Sequence, residues 1–599
     1  MQTVSDKWKQ NQERDFTSEG YLDITMQVTD PEVFRVGSVA VNTEADISMT
    51  NTVLGMDSYD VKPYTTLEPY VWKLDGTRIG LPDTGELFTG YVSEVTCNGA
   101  GNFTTQPVIT ISFSETITHT VPGITLIFSE VYDSYATSFL LEVSNNGNVI
   151  YSLDETANDK ATVIIDQDFV NFDEVSLTIR KWLKPYERAR VAALLMGFTE
   201  QFTKTDIFKY QNTQYIGLVS DKLPKLEITF DVDNTSGKFN PLNPDGITAY
   251  LMNKQEISVK YGFKLNNNVE YITGGTYFLS EWSAPQNGLK ATFRARDILE
   301  YFNNTYMKGR YVPAGQTLYD MAMDIFTEAN LPLNRDGTVR YHVDNSLQTI
   351  KTKAPLPLQS MAVCLQLIAN AGKCIIRPTR DGQIYIEPLN IDLSDYEINN
   401  FNSYKKAEIE TIKQVKDIKV KIYNYYAGDS GQELSNGDVY IDGTEDVWIT
   451  YSSPAISNTV SASVSGGTLN SATYYSNACL LNITGTGSVT VSITGQVLQK
   501  AEVDVTMPNA GIDKGETETV TNQLITSAAM ATAVGQWVLD YENMRKYLKF
   551  DWRIDPRIDI ADTILYSNED VLNGPVLMKE INMTYGGAFT GNGKGVLIE

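Results

Sequence analysis

Histidine is nearly absent from this chain of 599 residues. Its two histidines, His119 and His342, lie in "TITHTVPG" and "VRYHVDN", both segments of β character, and no HExxH or HxH motif is present. Zinc hydrolases and metallopeptidases rely on histidine ligands, and a Ser-His-Asp triad needs a histidine base. The scarcity argues against these enzyme classes, and we expect both histidines to be surface or packing residues.

Cysteine is also scarce, and its four copies are scattered. Cys97, Cys364, Cys374 and Cys479 form no CxxC pair, which fits neither a disulfide framework nor a zinc ribbon. Free cysteine commonly packs as a small hydrophobic residue. We therefore predict that Cys364 and Cys374, which flank a helix-to-strand junction, are buried free thiols.

Long apolar runs are missing. No stretch approaches the ~18 apolar residues of a membrane-spanning helix, and "MQTVSDKWKQNQERDF" contains no apolar core of a signal peptide. GxSxG and GxxxxGK[ST] motifs are absent too. We expect synthesis in a cytoplasm, no membrane partner, and release by another route such as cell lysis.

Basic residues are outnumbered by acidic ones. The chain has 48 Lys and Arg against 74 Asp and Glu, a net charge of −26. An acidic surface repels phosphate, which argues against sequence-reading nucleic-acid binding and against docking on anionic membranes. In a tubular protein, an acidic wall would also keep DNA from adhering.

Strand-forming residues are what the chain has in abundance. It contains 34 Tyr beside many Thr, Val and Ile, and its Asn and Gly favour turns. A chain of this length exceeds one hydrophobic core, so we expect about three to five domains. Many short strands fill residues 21–200, and Asn146-Gly147 marks a hairpin there.

Helical periodicity appears mainly in one interior segment. Within residues 314–390 two amphipathic helices are predicted, the second ending at Gly372, followed by a hairpin that turns at Asp381-Gly382. The stretch 430–511 is almost purely β and rich in Ser, Thr and Gly. It predicts a small immunoglobulin-like or sandwich insertion, and the longest helix follows it.

The stretch "LEITFDVDNTSGKFNPLNPDG" resembles the start of a calcium loop. Counted from Asp231, however, position 6 is Ser236 and position 12 is Leu242, where an EF-hand needs glycine and a bidentate glutamate. Pro241 and Pro244 also forbid the helix that should follow. We therefore predict no metal site here.

The alternation within the same stretch predicts a strand. Apolar residues alternate with polar ones up to residue 232, which places Asp231 on the polar face. An Asx-type turn from Asn234 to Gly237 follows. Asp231 and Asp233 are expected to be scaffold residues, and the sequence predicts no catalytic, cofactor-binding or metal-binding residue elsewhere.

A glycoside hydrolase needs only two carboxylates, and one candidate pair can be named. "FSEVYDSYATSF" places Glu130 and Asp133 beside Tyr132, Tyr135 and Phe139. These residues suit either a sugar-binding face or ordinary strand and edge positions of a sandwich. The sequence does not decide whether they share one face.

A weak internal echo links two distant segments. "TYFLSEWSAPQNGLKATFRA" and "PVLMKEINMTYGGAFTGNGKGVLIE" each consist of a strand, a turn containing glycine and a second strand. Each also follows a strand segment, "QEISVKYGF" or "DIADTILYS". β hairpins can look alike by chance, so duplication and coincidence both remain open at this point.

The segment from "LPKLEITFDVDN" to "KATFRARD" resembles the central baseplate hub of contractile phage tails and the N-terminal part of siphophage tail-associated proteins. The resemblance lies in an acidic turn at 230–234 and strands at 255–262 and 275–282. "QTLYDMAMDIFTEANLP" and "LQSMAVCLQLIANAGKCIIRPTRDGQIYIEPL" look like the helix–helix–hairpin between the hub's two barrels, and "DPRIDIADTILY…GPVLMKEINMTYGGAFTGNGKG" looks like the second barrel's closing strands. "GITLIFSEVYDSYATSFLLEVSNNGNVIYSL" is similar to a galactose-binding jelly roll.

This resemblance implies a mainly β, multidomain chain with a minor α/β part. It divides the chain into a lead-in (1–20), a jelly-roll, carbohydrate-binding-like domain (21–200), a first tube-type barrel (201–313), an α/β domain (314–395), a second tube-type barrel (396–429 and 512–599) and the β-sandwich insertion (430–511). The chain ends at Glu599 directly after the second barrel, so no lysin domain is expected.

The function implied is that of a structural virion protein at the distal end of a phage tail tube. Expected partners are two further copies in a homotrimer, the tail tube or distal tail protein, the tape-measure protein, fibre or tip proteins, and a cell-surface glycan. DNA would be transiting cargo, and no cofactor is implied. The alternatives are a carbohydrate-binding adsorption protein and a phage-borne glycoside hydrolase.

Overall fold

The computed structural model describes residues 1–14, 16–29, 33, 36–54, 61–73, 75–81, 89–240, 242–243, 248, 251–265, 268–285, 288–332, 338–568 and 572–598. Strands dominate this part of the chain and helices are few. The prediction of a mainly β chain with a small α/β part is therefore confirmed.

The strands are numbered in chain order. Those of the N-terminal third are β1 (Gly20–Thr29), β2 (Gly37–Val41), β3 (Tyr91–Thr96), β4 (Val108–Ile117), β5 (Val121–Phe128), β6 (Ala136–Asn145), β7 (Asn148–Glu155), β8 (Thr162–Phe169), β9 (Phe172–Trp182) and β10 (Arg188–Phe202). The next are β11 (Ile207–Tyr215), β12 (Lys225–Asp233), β13 (Glu256–Leu265), β14 (Asn268–Ser283), β15 (Lys290–Arg296), β16 (Gln316–Thr317), β17 (Tyr341–Val343), β18 (Lys351–Thr352), β19 (Ile375–Pro378), β20 (Ile384–Glu387) and β21 (Leu393–Ile398). The last are β22 (Glu408–Thr411), β23 (Val415–Ala427), β24 (Gln432–Thr450), β25 (Ser461–Tyr474), β26 (Ala478–Gly495), β27 (Leu498–Pro508), β28 (Glu516–Val520), β29 (Lys546–Trp552), β30 (Thr563–Asn568), β31 (Leu572–Tyr585) and β32 (Phe589–Leu597).

The α-helices are α1 (Asp6–Gln12), α2 (Leu318–Ala329), α3 (Met361–Ala371) and α4 (Ala528–Glu542). Short 3-10 helices cover Thr50–Leu54, Glu130–Tyr132, Ile298–Phe302, Asn345–Gln348 and Ser457–Thr459. In the lead-in, Ser5 caps α1, and the buried Trp8 donates its indole N–H to Asp555 at 3.1 Å. The lead-in is therefore tied to residues near the end of the chain.

One large sheet organises the chain. Its strand order is β22-β29-β32-β31-β11-β12-β15-β14-β13-β1-β10-β5-β8, with β3 beside β10, β30 beside β31 and β21 beside β30. Strands assigned by sequence to two separate barrels thus belong to one continuous sheet, because β11 pairs with β31. Among the described strands, backbone pairing does not close either group on itself, so closed barrels stay a prediction.

The described residues between 33 and 196 form a sandwich inserted between β1 and the second half of β10, residues 197–202. Its outer sheet has the order β2-β4-β9-β6-β7, and its core joins this sheet to β5 and β10. The predicted hairpin is confirmed, since Asn146 and Gly147 have φ of 48° and 75°, as a type I′ turn requires. Strand β1, which the sequence placed with the jelly roll, instead lies between β10 and β13 of the large sheet.

The helical part follows the sequence prediction closely. Thr317 caps α2 by accepting a hydrogen bond from Asp320 N at 3.0 Å, and α3 ends at Gly372. Strands β19 and β20 form the predicted antiparallel hairpin, with Gly382 at φ 69° in its turn. Strand β17 adds to β20 in parallel.

The predicted insertion differs in form from an immunoglobulin domain. Three long strands in the order β24-β26-β25 build it, where an immunoglobulin domain has seven or more shorter ones. Glycines sit in register midway along all three, since Gly443 pairs with Gly485 and Gly485 with Gly467. Residues 498–508, assigned by sequence to the insertion, form β27 and pair with β23 instead.

Helix α4 covers the sheet β27-β23-β28. The approach is close at Gly535, where an added Cβ would lie 2.8 Å from the Met507 Cγ and 3.0 Å from the Val420 Cγ2. Glycine is therefore required there for packing, although it weakens a helix interior.

Candidate assembly interface

Two groups of strands in the large sheet have the same topology. The first unit consists of β11, β12, β13, β14 and β15, and the second unit of β22, β29, β30, β31 and β32. In each unit the first strand pairs with the second, the second with the fifth, the fifth with the fourth, and the fourth with the third, all antiparallel. The weak echo in the sequence thus has a structural counterpart.

A β-bulge at the same place in both units fixes their alignment. In the first unit Leu279 pairs with Ala295 and Glu281 with Arg294, so Ser280 is skipped. In the second unit the corresponding bulge skips Lys579, because Met578 pairs with Gly595 and Glu580 with Lys594. Bulges are specific features that re-aim a strand, so a shared bulge is stronger evidence of duplication than shared topology alone.

The two units are joined edge to edge within the chain. The first strand of the first unit, β11, pairs antiparallel with the fourth strand of the second unit, from Tyr210 opposite Tyr585 to Tyr215 opposite Glu580. Ile216 N continues the contact to Lys579 O at 3.1 Å. The interface is head to tail, since each unit contributes a different strand.

A buried polar cluster lies beside this junction. Tyr210 and Tyr261 share a hydrogen bond of 2.5 Å, and Asn212 Nδ2 donates to the hydroxyls of Tyr261 at 3.0 Å and Tyr277 at 2.7 Å. Burial raises the pKa of all three tyrosines. The cluster is neutral and hydrogen-bonded, and its residue types suit specific packing rather than acid–base chemistry.

The tip of the β19–β20 hairpin lies between the two units and contacts both of them. Arg380, 6% exposed, donates from Nε to Asp559 Oδ1 at 2.5 Å and from Nη2 to Ile558 O at 2.8 Å. Its Nη1 donates to Thr273 O at 3.0 Å, and Thr276 N donates to the Arg380 carbonyl at 2.8 Å. One arginine therefore connects β14 of the first unit to the segment before β30 of the second.

Each unit has a strand with an open edge, although β13 and β1 continue the sheet beyond most of β14. On β14, the register with β13 ends at Phe278, so residues 281–283 pair only with β15 among the described strands. On the other end, β22 pairs only with β29 in the described part of the chain. Ile409 of β22 is 44% exposed. Open edges of this kind are sites for strand addition from another chain.

Asp231 and Asp233, from the stretch that resembles the start of a calcium loop, have structural roles in the first unit. Asp231 lies on β12 and accepts from Lys290 Nζ at 2.7 Å and Thr292 Oγ1 at 2.6 Å, which together hold the pKa of its carboxyl low against the opposing effect of burial. The predicted turn from Asn234 to Gly237 is present, since Gly237 N donates to Asn234 O at 2.9 Å, and Asp233 Oδ1 adds an Asx turn by accepting from Thr235 N at 3.0 Å. The prolines Pro241 and Pro244 lie outside the described residues.

The candidate sugar-binding face is not assembled. Tyr132 is buried beneath Arg190, with its hydroxyl donated to Tyr64 O at 2.8 Å, and Phe139 is a core residue of the sandwich. Tyr135 is half-buried and Asp133 is exposed, while the side chain of Glu130 is outside the described part. The aromatic rings needed for stacking on sugar thus serve the core.

The histidines and cysteines lie where the sequence predicted. His119 is exposed in the turn after β4, and the His342 ring packs 5.2 Å from the Tyr385 ring. All four cysteines are buried and free, and burial raises the pKa of each thiol. A search of the described residues finds no group of three or more His, Cys, Asp or Glu side chains placed to hold a metal ion. Within the same residues, no helix has the length and apolarity to cross a membrane.

Known protein families and curated sequences give no match to this chain. Solved structures do give matches. The 43 kDa tail protein of prophage MuSo2 from Shewanella oneidensis aligns at 10% identity and TM-score 0.37, over 67% of this chain and 96% of its own. A tail protein from Neisseria meningitidis MC58 aligns at 7% identity and TM-score 0.38, over 67% and 94%.

A third similar structure is the c3393 protein of E. coli, at 7% identity and TM-score 0.32, over 66% of this chain and 74% of its own. Its description names it a component of the type VI secretion system with structural similarity to the T4 tail proteins gp27 and gp5. The descriptions of these neighbours name the class of protein that the sequence resemblance indicated. TM-scores below 0.5 do not by themselves establish function.

The edges at the two ends were not found from the sequence. The sequence feature that could have indicated them is the similarity between the two hairpin segments, because these segments form the fourth and fifth strands of both units. It could not show that β11 pairs with β31, since that pairing joins segments about 370 residues apart with no shared motif.

Proposed function

We propose that this protein is a structural component of a phage tail, forming a homotrimeric hub or tip at the distal end of the tail tube. The observation that supports this most is the internal duplication, in which two equivalent units are joined head to tail by β11 and β31. Head-to-tail contacts form a ring when the rotation between successive units closes, and an open filament when it does not. Three copies, the number that the hub resemblance implies, would supply six equivalent units.

The duplication also specifies how neighbouring copies would meet. The second unit's first strand, β22, is the counterpart of β11, and the end of β14 is the counterpart of the β31 segment that β11 contacts. Repeating the internal junction between chains places Ile409 opposite Ala284 and Ile412 opposite Glu281. These are the two open edges described above.

The proposed ring explains the charge of the chain. A net charge of −26 disfavours contact with phosphate, so DNA could pass an acidic lumen without adhering. We propose the tail tube or distal tail protein, the tape-measure protein and fibre or tip proteins as partners at the faces of the ring. The role is assembly and passage, without a catalytic step.

The test is the assembly state of the purified full-length chain. Native mass spectrometry should show three chains of 66.7 kDa each, and electron microscopy should show rings with six similar lobes. A chain that stays monomeric at micromolar concentration, or forms open filaments, would contradict the proposed ring. Tail tubes from the same phage should bind the ring at one end.

A further inference from the structure

An open cleft of about 830 Å³ lies on the N-terminal sandwich, distant in the chain from both units. This volume falls in the range of ligand-binding clefts. Its lining comes from five separate stretches of the sandwich and includes Glu44, Asp46, Trp72, Glu94, Tyr186 and Arg188. The lining combines exposed aromatic rings with hydroxyls and carboxylates.

One wall is a turn that presents large apolar side chains to solvent. Leu67 and Trp72 of the lining are 89% and 50% exposed, and Tyr70 between them, outside the lining, is 47% exposed. Scattered exposed apolar residues are ordinary, but a contiguous group marks an interaction site. The sandwich core does not use these side chains, so their exposure needs a reason other than folding.

A buried ion pair fixes this turn on the sandwich. Glu68 accepts from Arg190 Nη1 at 2.9 Å and from Arg188 N at 2.8 Å, and both charged side chains of the Glu68–Arg190 pair are buried. The Glu68 carbonyl also accepts from Val71 N at 3.0 Å and Trp72 N at 2.8 Å. Buried ion pairs contribute little to net stability but hold geometry, and here the geometry held is that of Trp72.

A second exposed ring in the cleft belongs to a residue with a strained backbone conformation. Tyr186 is 54% exposed and has φ of 61°, in the left-handed region that bulky residues avoid. Its hydroxyl lies over Gly99, where an added Cβ would approach it to 2.6 Å. Backbone strain of this kind is concentrated at ligand clamps and active sites.

The polar lining indicates the class of ligand. Glu44, Asp46 and Glu94 are exposed carboxylates in the cleft, and Arg188 is the cation among its lining residues. Carboxylates and the threonine hydroxyls accept hydrogen bonds from neutral hydroxyl groups, whereas the excess of negative charge repels phosphate and uronate. Aromatic rings offer flat apolar surfaces with polar edges.

We propose that this cleft binds a neutral polysaccharide, with Trp72 and Tyr186 stacked on sugar rings and the carboxylates accepting hydrogen bonds from sugar hydroxyls. The site differs from the pair Glu130 and Asp133 that the sequence suggested. It does not depend on the tail-hub role, since all of its lining lies in the sandwich.

The test uses the full-length chain and soluble hexasaccharides as probes. Maltohexaose, cellohexaose, mannohexaose and chitohexaose represent neutral chains, and oligogalacturonate represents anionic ones, with binding measured by calorimetry. The wild type should bind at least one neutral probe. Trp72→Ala and Tyr186→Ala should each weaken that binding about tenfold or more, while Tyr440→Ala, a 76% exposed ring on β24, should leave it unchanged.

Several results would overturn this assignment. They are the absence of binding to every neutral probe at millimolar concentration, preference for the anionic probe, and unchanged affinity in the Trp72→Ala and Tyr186→Ala variants. Circular dichroism of each variant must match the wild type, and Trp72→Phe, which keeps an aromatic face, should retain most of the affinity. Binding that collapses in about 0.5 M salt would also contradict a neutral ligand.

Discussion

Ser280 and Lys579 occupy the same position in the two units, because each is the residue skipped by the bulge between the fourth and fifth strands. Their side chains differ, since Ser280 Oγ donates to Arg294 O at 3.1 Å and Lys579 Nζ donates to the Tyr541 hydroxyl at 2.9 Å. The backbone irregularity is thus retained where the side-chain chemistry is not. This pattern is expected when a duplicated fold keeps its architecture and the sequences diverge.

Charge on the open edge of β22 should prevent ring formation. Ile409→Asp places a carboxylate at the proposed contact with Ala284 of a neighbouring copy, where pairing would bury it. Native mass spectrometry should show that this variant is monomeric, and its circular dichroism spectrum should match that of the wild type. Val149→Asp, at a 53% exposed position on the edge strand β7 of the sandwich, is the matched control and should still form rings. Rings of Ile409→Asp would disprove the proposed contact.

Removing Arg380 should destabilise the chain strongly. Arg380→Ala leaves Asp559 and the carbonyls of Thr273 and Ile558 without their donor, and breaking a buried ion pair costs about 3–5 kcal/mol. Chemical denaturation measures the loss. Arg377→Ala on the same hairpin breaks a partly exposed pair with Glu387, so about 0–1 kcal/mol is expected. Equal losses in the two variants would show that Arg380 does not connect the units.

Stability should fall as pH rises from about 4 to 6 because of Asp297. Burial raises the pKa of this carboxyl to about 6, although Leu226 N and Leu299 N donate hydrogen bonds to it. The folded state therefore binds the proton more tightly than the unfolded state. Its contribution is complete below the unfolded pKa, near 3.9, and is lost as pH passes 6, about 3 kcal/mol in all.

Asp297→Asn, which mimics the protonated carboxyl, checks the pH dependence. The difference in free energy of unfolding between wild type and variant should change by about 3 kcal/mol between pH 4 and pH 6, and it should stay constant above pH 6. A pH-independent difference for Asp297→Asn would refute the assignment.

The four thiols should be unreactive in the native state. Burial raises the pKa of Cys364 and Cys374 to about 12 and of Cys479 to about 11, so little reactive thiolate exists at neutral pH. Ellman's reagent should modify none of them in native protein and all four in denaturant. Rapid native modification of any one would contradict its burial.

Sequence patterns determined the local elements of this protein. Asn146-Gly147 specified its hairpin, Gly372 ended its helix, and the failed spacing after Asp231 removed the calcium loop, because each depends on a few neighbouring residues. Composition predicted the β class, and the presence of only two histidines argued against active sites and metal sites that depend on histidine. The hairpin echo suggested duplication without proving it.

The tertiary structure decided everything that depends on pairing between distant segments. It placed β1 with the large sheet, joined β11 to β31 and left the edges of β14 and β22 open. It also moved the candidate sugar site from Tyr132, whose ring is buried, to Trp72 and Tyr186, which come from separate loops. The reason is physical: strand alternation records which face of a strand is buried, but it does not record which strand lies beside it.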